Sequence, residues 1–531
     1  MSKVKRILSV IMAMVMVLAM SVPTFAANKG ADNVYGTADD RGNITVKGID
    51  EEAGKTIEVE AYPVIEAQYT DAGSFSGYKS KYAVTGIAKD TIINTDISTL
   101  TPKQLTEYAD QVSGTSYTMN RNTAGDYVAE VPVGAYVVLV TGTEAHSYNP
   151  MVVSVSYINR DGNTDLKEDE LNLNEGVAVA KKSDAPTVDK IITNNPKDKN
   201  GNDKGHSVNI NDKVKYKVTI SSVPNYSGSH PVLNVVDTLC AGLDYDENSI
   251  KVNINGTKLG QDKYNFSYDA AKKELKVDFV VDGKYKLNDY KGESIEITYT
   301  ATLNEHAALN QEGNENDVVL NYTKDSKSTG NDTTDEAKTY TYTFDIGGEA
   351  SGTTGIITKT GVKNGAETAL GGATFRLYKT EDDAVKNENH IDEQQSTEID
   401  ATHTVAGQLH FTGLQAGEYY LRETAAPTGY TVNTNIYKIE IIADYYTEST
   451  GTNEQGMLKT WSVKVDDKEV ATFDVANNWT KTGNGINIKN TKISSLPSTG
   501  GIGTTIFTIG GCAIMIVAAG LFFATRRKTQ K

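Results

Sequence analysis

The sequence predicts an all-β protein of three tandem β-sandwich domains, placed between an apolar N-terminal segment and an apolar C-terminal one. Two observations carry this prediction. Through most of the 531 residues, apolar and polar residues alternate in short runs, which is the period of a half-buried strand. Clusters of Gly, Asn and Asp separate these runs, as expected for the turns of a sandwich.

The first 27 residues have the layout of a secretory signal peptide. Lys3, Lys5 and Arg6 precede an apolar run at 7–20, and small residues follow as far as Ala27. The run is too short for a comfortable membrane span, but it suits the apolar region of a signal peptide. We therefore expect residues 1–27 to be removed on secretion.

The last segment, residues 494–531, combines the pentapeptide LPSTG at 496–500 with an apolar run at 502–524 and a basic tail at 526–528. The run is long enough to cross a hydrocarbon layer of ~30 Å, and the basic tail would stay in the cytoplasm. The arrangement resembles the sortase sorting signal of Gram-positive surface proteins. This resemblance implies that a transpeptidase cuts between Thr499 and Gly500 and passes the threonyl group to an amine, which leaves the protein anchored to the cell wall.

Composition argues against several functions. The net charge of −17 does not suit nucleic-acid binding. Cys240 and Cys512 are the two cysteines, and the second lies in the apolar tail, so the exported part cannot form an internal disulfide. Residues 161–165 have the spacing of the first EF-hand ligands, but Leu166 and Asn172 replace the required Gly and Glu. The sequence thus predicts no metal, no cofactor and no enzyme.

The first domain, residues 28–182, shows alternating runs at 44–46, 56–59 and 127–131. A helix is predicted at 102–112, where Thr101 could cap and where Leu105, Tyr108 and Val112 share a face. Lys47 is out of phase with the apolar residues of its run and should face solvent. We therefore expect no cross-link in this domain.

The third domain, residues 346–493, carries the run YYLRETAAPTGY at 419–430. At each fixed position this run resembles the E-box of Gram-positive pilins, and residues 356–360 and 370–378 resemble the opening of a collagen-adhesin (Cna) B-type domain. The resemblance implies an immunoglobulin-like sandwich in which Lys359 of the first strand is joined to Asn490 of the last. It assigns the role of catalyst to Glu423.

The alternation is compatible with this chemistry. It puts Lys359 on the face of Ile357, and Asn490 on the face of Ile486 and Ile488. Burial would lower the lysine pKa and raise that of the acid. A neutral amine could then attack the asparagine carbonyl and expel ammonia.

The second domain, residues 183–345, has alternating runs at 214–220, 232–236, 275–281 and 294–303, and a polar stretch at 326–337 interpreted as a loop or linker. Its segments 186–190, 235–239 and 313–322 together resemble the fimbrial D2-type isopeptide domain. The resemblance implies a bond from Lys190 to an asparagine, assisted by Asp237. Alternation excludes Asn321, which points to the other face. Of the remaining two we take Asn316 as the first choice and Asn314 as the second. Each bond would close a loop of roughly 130 residues, worth about 4 to 5 kcal/mol in chain entropy.

A polymer also needs an amine to receive the threonyl group. Residues 173–182 line up with the motif of shaft pilins that ends in the linking lysine, although Leu173, Ala180 and Lys181 replace its Trp, Tyr and Pro. Lys182 holds the motif's last position, and Lys181 stays open as the alternative.

The sequence as a whole therefore predicts the backbone subunit of a sortase-assembled pilus at the cell surface. The partners implied by the resemblance are other copies of the chain, class C and housekeeping sortases, and peptidoglycan, with accessory pilins and host surface ligands as further partners. The alternative is a monomeric wall-anchored adhesin or accessory pilin on the same scaffold. Polymerisation distinguishes the two.

Overall fold

The computed structural model describes residues 35–93, 97, 100–159, 171–194, 202–226, 231–324, 333–363, 365–493 and 502–528. The chain groups into two compact units. The first contains the residues up to Ala308 together with Glu312–Tyr342 and Tyr445–Met457, and the second contains Leu309–Gln311, Thr343–Asp444 and the residues from Leu458 onward. Most of the first two predicted domains lies in the first unit, and the division into three domains stays a prediction.

The N-terminal part of the first unit is a sandwich of two sheets. Its elements are β1 Arg41–Lys47, β2 Glu58–Tyr69, β3 Phe75–Ser80, β4 Ile92–Ile93, α1 Pro102–Gln111, β5 Tyr117–Thr118, β6 Asn120–Arg121, β7 Tyr127–Pro132, β8 Gly134–Thr141, β9 His146–Tyr148, β10 Met151–Asn159, β11 Leu171–Glu175, β12 Val177–Val179 and β13 Lys182–Asp184. One sheet has the order β12-β1-β7-β6, and the other has the order β11-β10-β8-β2-β3-β4 with β5 beside β2. A separate ladder joins β13 to β9.

The helix predicted in this domain is confirmed as α1. The Thr101 side chain accepts a hydrogen bond from the Gln104 backbone, and the Gln104 side chain accepts one from the Thr101 backbone at 2.9 Å. This reciprocal cap satisfies backbone N–H groups that have no partner within the helix. Tyr108 is buried, and Leu105 and Val112 pack against the core of the sandwich.

The second sandwich follows in the same unit. Its strands are β14 Val188–Ile192, β15 Gly205–Ser207, β16 Lys213–Ile220, β17 Leu233–Leu239, β18 Leu243–Tyr245, β19 Lys251–Ile254, β20 Thr257–Lys258, β21 Asn265–Asp269, β22 Glu274–Asp278, β23 Val280–Val281, β24 Lys284–Tyr285, β25 Ile295–Leu303, β26 Asn314–Tyr322 and β27 Thr333–Tyr342. Short 3₁₀ helices lie at Gln261–Lys263 and Asn288–Tyr290, and a third at Asn310–Glu312 has its first two residues in the second unit. One sheet has the order β14-β16-β25-β19-β20 with β18 beside β25, and the other has the order β15-β27-β26-β17-β22-β21.

The interpretation of residues 326–337 as a loop or linker is wrong for its last part. Residues from Thr333 onward form β27, which pairs antiparallel with β26 from Thr333 opposite Tyr322 to Thr341 opposite Asn314. The stretch is polar because a strand with one face towards solvent needs few apolar side chains. Threonine also suits a strand because it is β-branched.

The second unit holds the last sandwich. Its elements are β28 Phe344–Ile346, β29 Ile357–Lys363, β30 Ala366–Ala369, β31 Thr374–Tyr378, α2 Glu381–Lys386, β32 Asp392–Gln395, β33 Phe411–Leu414, β34 Gly417–Ala425, β35 Ile436–Tyr445, β36 Leu458–Val465, β37 Lys468–Asp474, a 3₁₀ helix at Val475–Asn477, and β38 Ile486–Asn490. The sheets have the orders β30-β29-β38, β32-β31-β34-β35-β36-β37 and β28-β33. In the core, the rings of Trp461 and Phe473 stack with centroids 4.2 Å apart.

The C-terminal helix, α3 Ile502–Lys528, is apolar. Its stretch Ile506–Arg526 has 21 residues and a mean hydropathy of 2.3, enough in length and composition to cross a membrane. The all-β prediction and the apolar helix after the sorting signal are both confirmed. The signal peptide at 1–27 lies outside the described residues.

Candidate cross-link sites and linking lysine

A lysine, an aspartate and an asparagine meet inside the second sandwich. Lys190 lies on β14 in one sheet, whereas Asp237 on β17 and Asn316 on β26 lie on neighbouring strands of the other sheet. Lys190 Nζ lies 2.8 Å from Asp237 Oδ2 and 2.7 Å from Asn316 Oδ1. The amine therefore reaches across the core to both groups.

All three of these side chains are buried. Burial lowers the pKa of Lys190 and raises the pKa of Asp237, because the charged forms lose their hydration. The attraction between the two opposite charges acts against these shifts but is the smaller effect. The surroundings thus favour a neutral amine beside a protonated acid, the state in which a lysine can act as a nucleophile.

The other two asparagines of β26 have different partners. Asn314 is buried on the same face as Asn316, but its side chain accepts a hydrogen bond from the Ala308 N–H at 2.9 Å and donates to the Ala308 and Thr341 carbonyls. Asn321 lies on the opposite face and donates to the Asn234 side chain at 2.9 Å. Of the three, Asn316 is the one whose amide contacts Lys190.

The reasoning from sequence missed Tyr299 at this site. This tyrosine on β25 is buried, and its hydroxyl donates to Asp237 Oδ1 at 2.8 Å and accepts from Asn316 Nδ2 at 2.7 Å. Its ring stacks on that of Tyr216, with centroids 5.1 Å apart. One observation from the sequence could have indicated it: Tyr299 is two residues after Ile297 in the same predicted strand, so both side chains should point into the core.

A second group of this kind lies inside the third sandwich. Lys359 on β29 and Asn490 on β38 lie on adjacent parallel strands, with Asn490 paired to the residue two positions beyond Lys359. Lys359 Nζ donates to Asn490 Oδ1 and lies 3.1 Å from Glu423 Oε2. Asn490 Nδ2 donates to Glu423 Oε1 at 2.6 Å. One carboxylate therefore contacts both the amine and the amide nitrogen.

This second group is also buried. Lys359, Glu423 and Asn490 are buried, and burial lowers the pKa of Lys359. The Asn433 backbone N–H donates to Glu423 Oε2 at 2.9 Å, and the Phe375 ring centroid lies 5.5 Å from Lys359 Nζ. The glutamate is therefore held in place by a backbone group as well as by Lys359 and Asn490.

Lys182, the predicted linking residue, is at the surface. It lies in β13, opposite Tyr148 of β9, and its side chain is 40% exposed. Its Nζ forms an ion pair with Asp50 Oδ2, and this hydrogen bond raises the pKa of Lys182. Lys181 is also exposed, but within the described part of the chain no ion pair involves its side chain.

The remaining candidates lie elsewhere. Lys47 is exposed and pairs with Asp126 at 3.5 Å, away from the core. Thr499, Gly500 and the acidic residues at 161–165 lie outside the described residues, so the sorting signal itself stays a feature of the sequence.

Two family models match parts of the chain. Residues 353–455 match a model described as a prealbumin-like fold domain, and residues 488–531 match the LPXTG cell wall anchor motif. The first range includes Lys359 and Glu423, and the second includes Asn490 and the whole sorting signal.

The chain is similar to proteins of the bacterial surface. It is 25% identical over 459 residues to the trypsin-resistant surface T6 protein of Streptococcus pyogenes serotype M6, which covers 74% of this chain and 79% of that protein. The solved structure of the T6 backbone pilin of serotype M6, described as modular and three-domain, matches with a TM-score of 0.55 and 19% identity over 86% of this chain and 99% of its own. The full-length major pilin SpaD of Corynebacterium diphtheriae matches with a TM-score of 0.46 and 17% identity over 86% of this chain and 98% of its own. The likeness to the T6 structure shows a shared fold.

Proposed function

We propose that this chain, which is a sortase-assembled major pilin anchored at the cell surface, builds the shaft of a pilus by joining Thr499 of each copy to Lys182 of the next. The cell wall anchor match at 488–531 supports Thr499 as the donor. The exposure of Lys182 supports it as the acceptor. The observation that carries the proposal is this combination, in one chain, of a sorting signal and an exposed lysine at the end of the first predicted domain.

The proposed joining reaction has two steps. A sortase cysteine attacks the Thr499 carbonyl, and Gly500 leaves with a free amino group. The Lys182 amine then attacks the resulting thioester, and the new amide forms as the cysteine thiolate leaves. Because Asp50 raises the pKa of Lys182, the ammonium group must leave this ion pair and lose a proton before it attacks.

We propose that two sortases act on this chain. A class C sortase would join subunits, and a housekeeping sortase would transfer the last Thr499 to peptidoglycan. Accessory pilins and host surface ligands are further proposed partners.

We also propose one intramolecular cross-link in each of the last two predicted domains, Lys190 to Asn316 and Lys359 to Asn490. The contacts of the two buried amines with the asparagine side chains support both assignments. In each reaction Nζ bonds to the side-chain carbonyl carbon, and the amide nitrogen leaves as ammonia. Asp237 and Glu423 act once, on their own chain, and we propose no turnover of an external substrate.

The test of the shaft is co-expression of the chain with a pilin sortase, followed by denaturing electrophoresis. We expect a ladder of high-mass species that Lys182→Ala abolishes. Lys181→Ala is the matched control and should leave the ladder intact. A wild-type chain that stays a single species would favour a monomeric adhesin, and loss of the ladder in the control alone would move the linkage by one residue.

A further inference from the structure

The two cross-link sites connect the amine to the amide nitrogen in different ways. In the third domain, the two oxygens of Glu423 contact Lys359 Nζ at 3.1 Å and Asn490 Nδ2 at 2.6 Å. In the second domain, Asp237 Oδ2 contacts Lys190 Nζ, but its other oxygen accepts a hydrogen bond from Tyr299. The Tyr299 hydroxyl thus lies between the carboxyl group and the nitrogen that must leave.

An aspartate side chain is one methylene shorter than a glutamate side chain. The Tyr299 hydroxyl spans the remaining distance, lying 2.8 Å from Asp237 Oδ1 and 2.7 Å from Asn316 Nδ2. We infer that Tyr299 is a catalytic residue of the second-domain cross-link, whose hydroxyl relays a proton from Asp237 to Asn316 Nδ2. This inference rests on the proposed bond between Lys190 and Asn316.

The proton balance closes without any added reactant. As Lys190 Nζ bonds to the Asn316 side-chain carbon, it loses a proton to Asp237 Oδ2. The Tyr299 hydroxyl turns from Asp237 Oδ1 towards Nδ2 and passes its proton to that nitrogen, while the carboxylic acid releases a proton from Oδ1 to the Tyr299 oxygen. The bond from the carbon to Nδ2 breaks, ammonia leaves, and Asp237 and Tyr299 end in the protonation states in which they began. A phenol can take both roles because its oxygen donates and accepts hydrogen bonds.

The surroundings hold this relay in place. Tyr299 is opposite Tyr216 in the pairing of β25 with β16, and the two rings stack. Burial raises the pKa of Tyr299 well above its usual value, so the hydroxyl keeps its proton. Because the group is excluded from solvent, a protein hydroxyl has to supply the transfer that water would supply at an exposed site.

The test is Tyr299→Phe, which removes the hydroxyl and keeps the ring. Cells expressing the full chain are pulse-labelled with heavy lysine, and the branched peptides containing Lys190–Asn316 and Lys359–Asn490 are quantified over time by mass spectrometry. We expect the Lys190–Asn316 peptide to form about a hundredfold more slowly, the usual effect of losing a positioned proton donor. The Lys359–Asn490 peptide in the same sample should form at the wild-type rate, which checks that synthesis and the folding of the second unit are unchanged. A wild-type thermal unfolding midpoint of the first unit in Tyr299→Phe checks that the substituted sandwich still folds.

Tyr245→Phe is the matched control. The Tyr245 ring contacts the Tyr299 ring, and its buried hydroxyl has no hydrogen-bond partner within the described part of the chain. Equal rates in wild type and Tyr299→Phe, or equal slowing in both tyrosine variants, would overturn the relay. A wild-type chain with no Lys190–Asn316 peptide would instead overturn the proposed cross-link, so the two failures are distinct.

Discussion

Lys190 and Lys359 occupy positions in which a free ammonium group would be costly. Both are fully buried, and a buried ion loses several kcal/mol of hydration. An amide to a neighbouring asparagine removes the ionisable group permanently and leaves a neutral polar link. At the scale of the residue, the proposed cross-link would thus remove the cost of burying a charged amine.

The acid of the third-domain site can be tested by Glu423→Gln. The amide cannot accept a proton from Lys359, so we expect formation of the Lys359–Asn490 bond to slow by about a hundredfold or more. Soon after synthesis, intact mass corrected for the substitution itself should then exceed that of the wild type by one ammonia. Glu418→Gln on the same strand is the control, since Glu418 pairs with Lys438 at the surface. A complete cross-link in Glu423→Gln would rule out the role given to this acid.

We expect His410 to make the stability of the third predicted domain depend on pH. Its ring contacts the buried carboxylate of Asp345 at 3.0 Å, and this hydrogen bond raises the pKa of His410 above 6.5. The stabilisation is therefore fully present below about pH 6.5 and is lost as the pH rises through the raised value. Because His410 is half-exposed, we expect about 1 kcal/mol or less.

The measurement for His410 is thermal unfolding of wild type and His410→Gln between pH 5 and 9. The difference in midpoint should be largest at acid pH and should shrink as the pH rises. The exposed His390, changed to Gln, should show no such trend. A difference that grows with pH would contradict the assignment.

At the scale of the element, much of each site could be predicted because strands have a period of two. That period put Lys359, Asn316 and Asn490 on inward faces, and all three are buried. It could not choose between Asn314 and Asn316, which share a face of β26 and are both buried. The choice depends on which residue lies opposite Lys190 once the two sheets pack, and this follows from the register of strands distant in sequence.

A pair of variants on β26 tests this choice. Asn316→Ala should eliminate the branched peptide containing Lys190, because the attacked carbonyl is gone. Asn314→Ala should keep that peptide but lower the free energy of unfolding by about 1 to 3 kcal/mol, since buried partners of its amide lose their hydrogen bonds. Peptide mapping and denaturant unfolding of both variants measure these outcomes. A branched peptide that survives Asn316→Ala and disappears with Asn314→Ala would reverse the assignment.

Two features could not be predicted for related physical reasons. Tyr299 comes from a sheet other than that of Asp237 and Asn316, so no local pattern connects the three. Residues from Thr333 onward have too few apolar side chains to signal a strand, yet the β26 backbone pairs with them. In both cases the residues or strand that make the contact are not sequence neighbours, so no local sequence pattern indicates the contact.

At the scale of the whole molecule, the proposed intramolecular and intermolecular bonds would together form one covalent path along the pilus. The intramolecular links join residues 126 and 131 positions apart, and each would remove about 4 to 5 kcal/mol of chain entropy from the unfolded state. The intermolecular link from Thr499 to Lys182 would continue this covalent path from one copy to the next. Because the exported part of each copy cannot form an internal disulfide, these amide links would hold under reducing conditions.

The most direct measurement of the central claim is mass spectrometry of digested native polymer. We predict a branched peptide in which the carboxyl group of Thr499 is bonded to the side chain of Lys182. Thr499 found only on peptidoglycan, and never on a lysine side chain of another copy, would contradict the shaft and leave a monomeric surface protein.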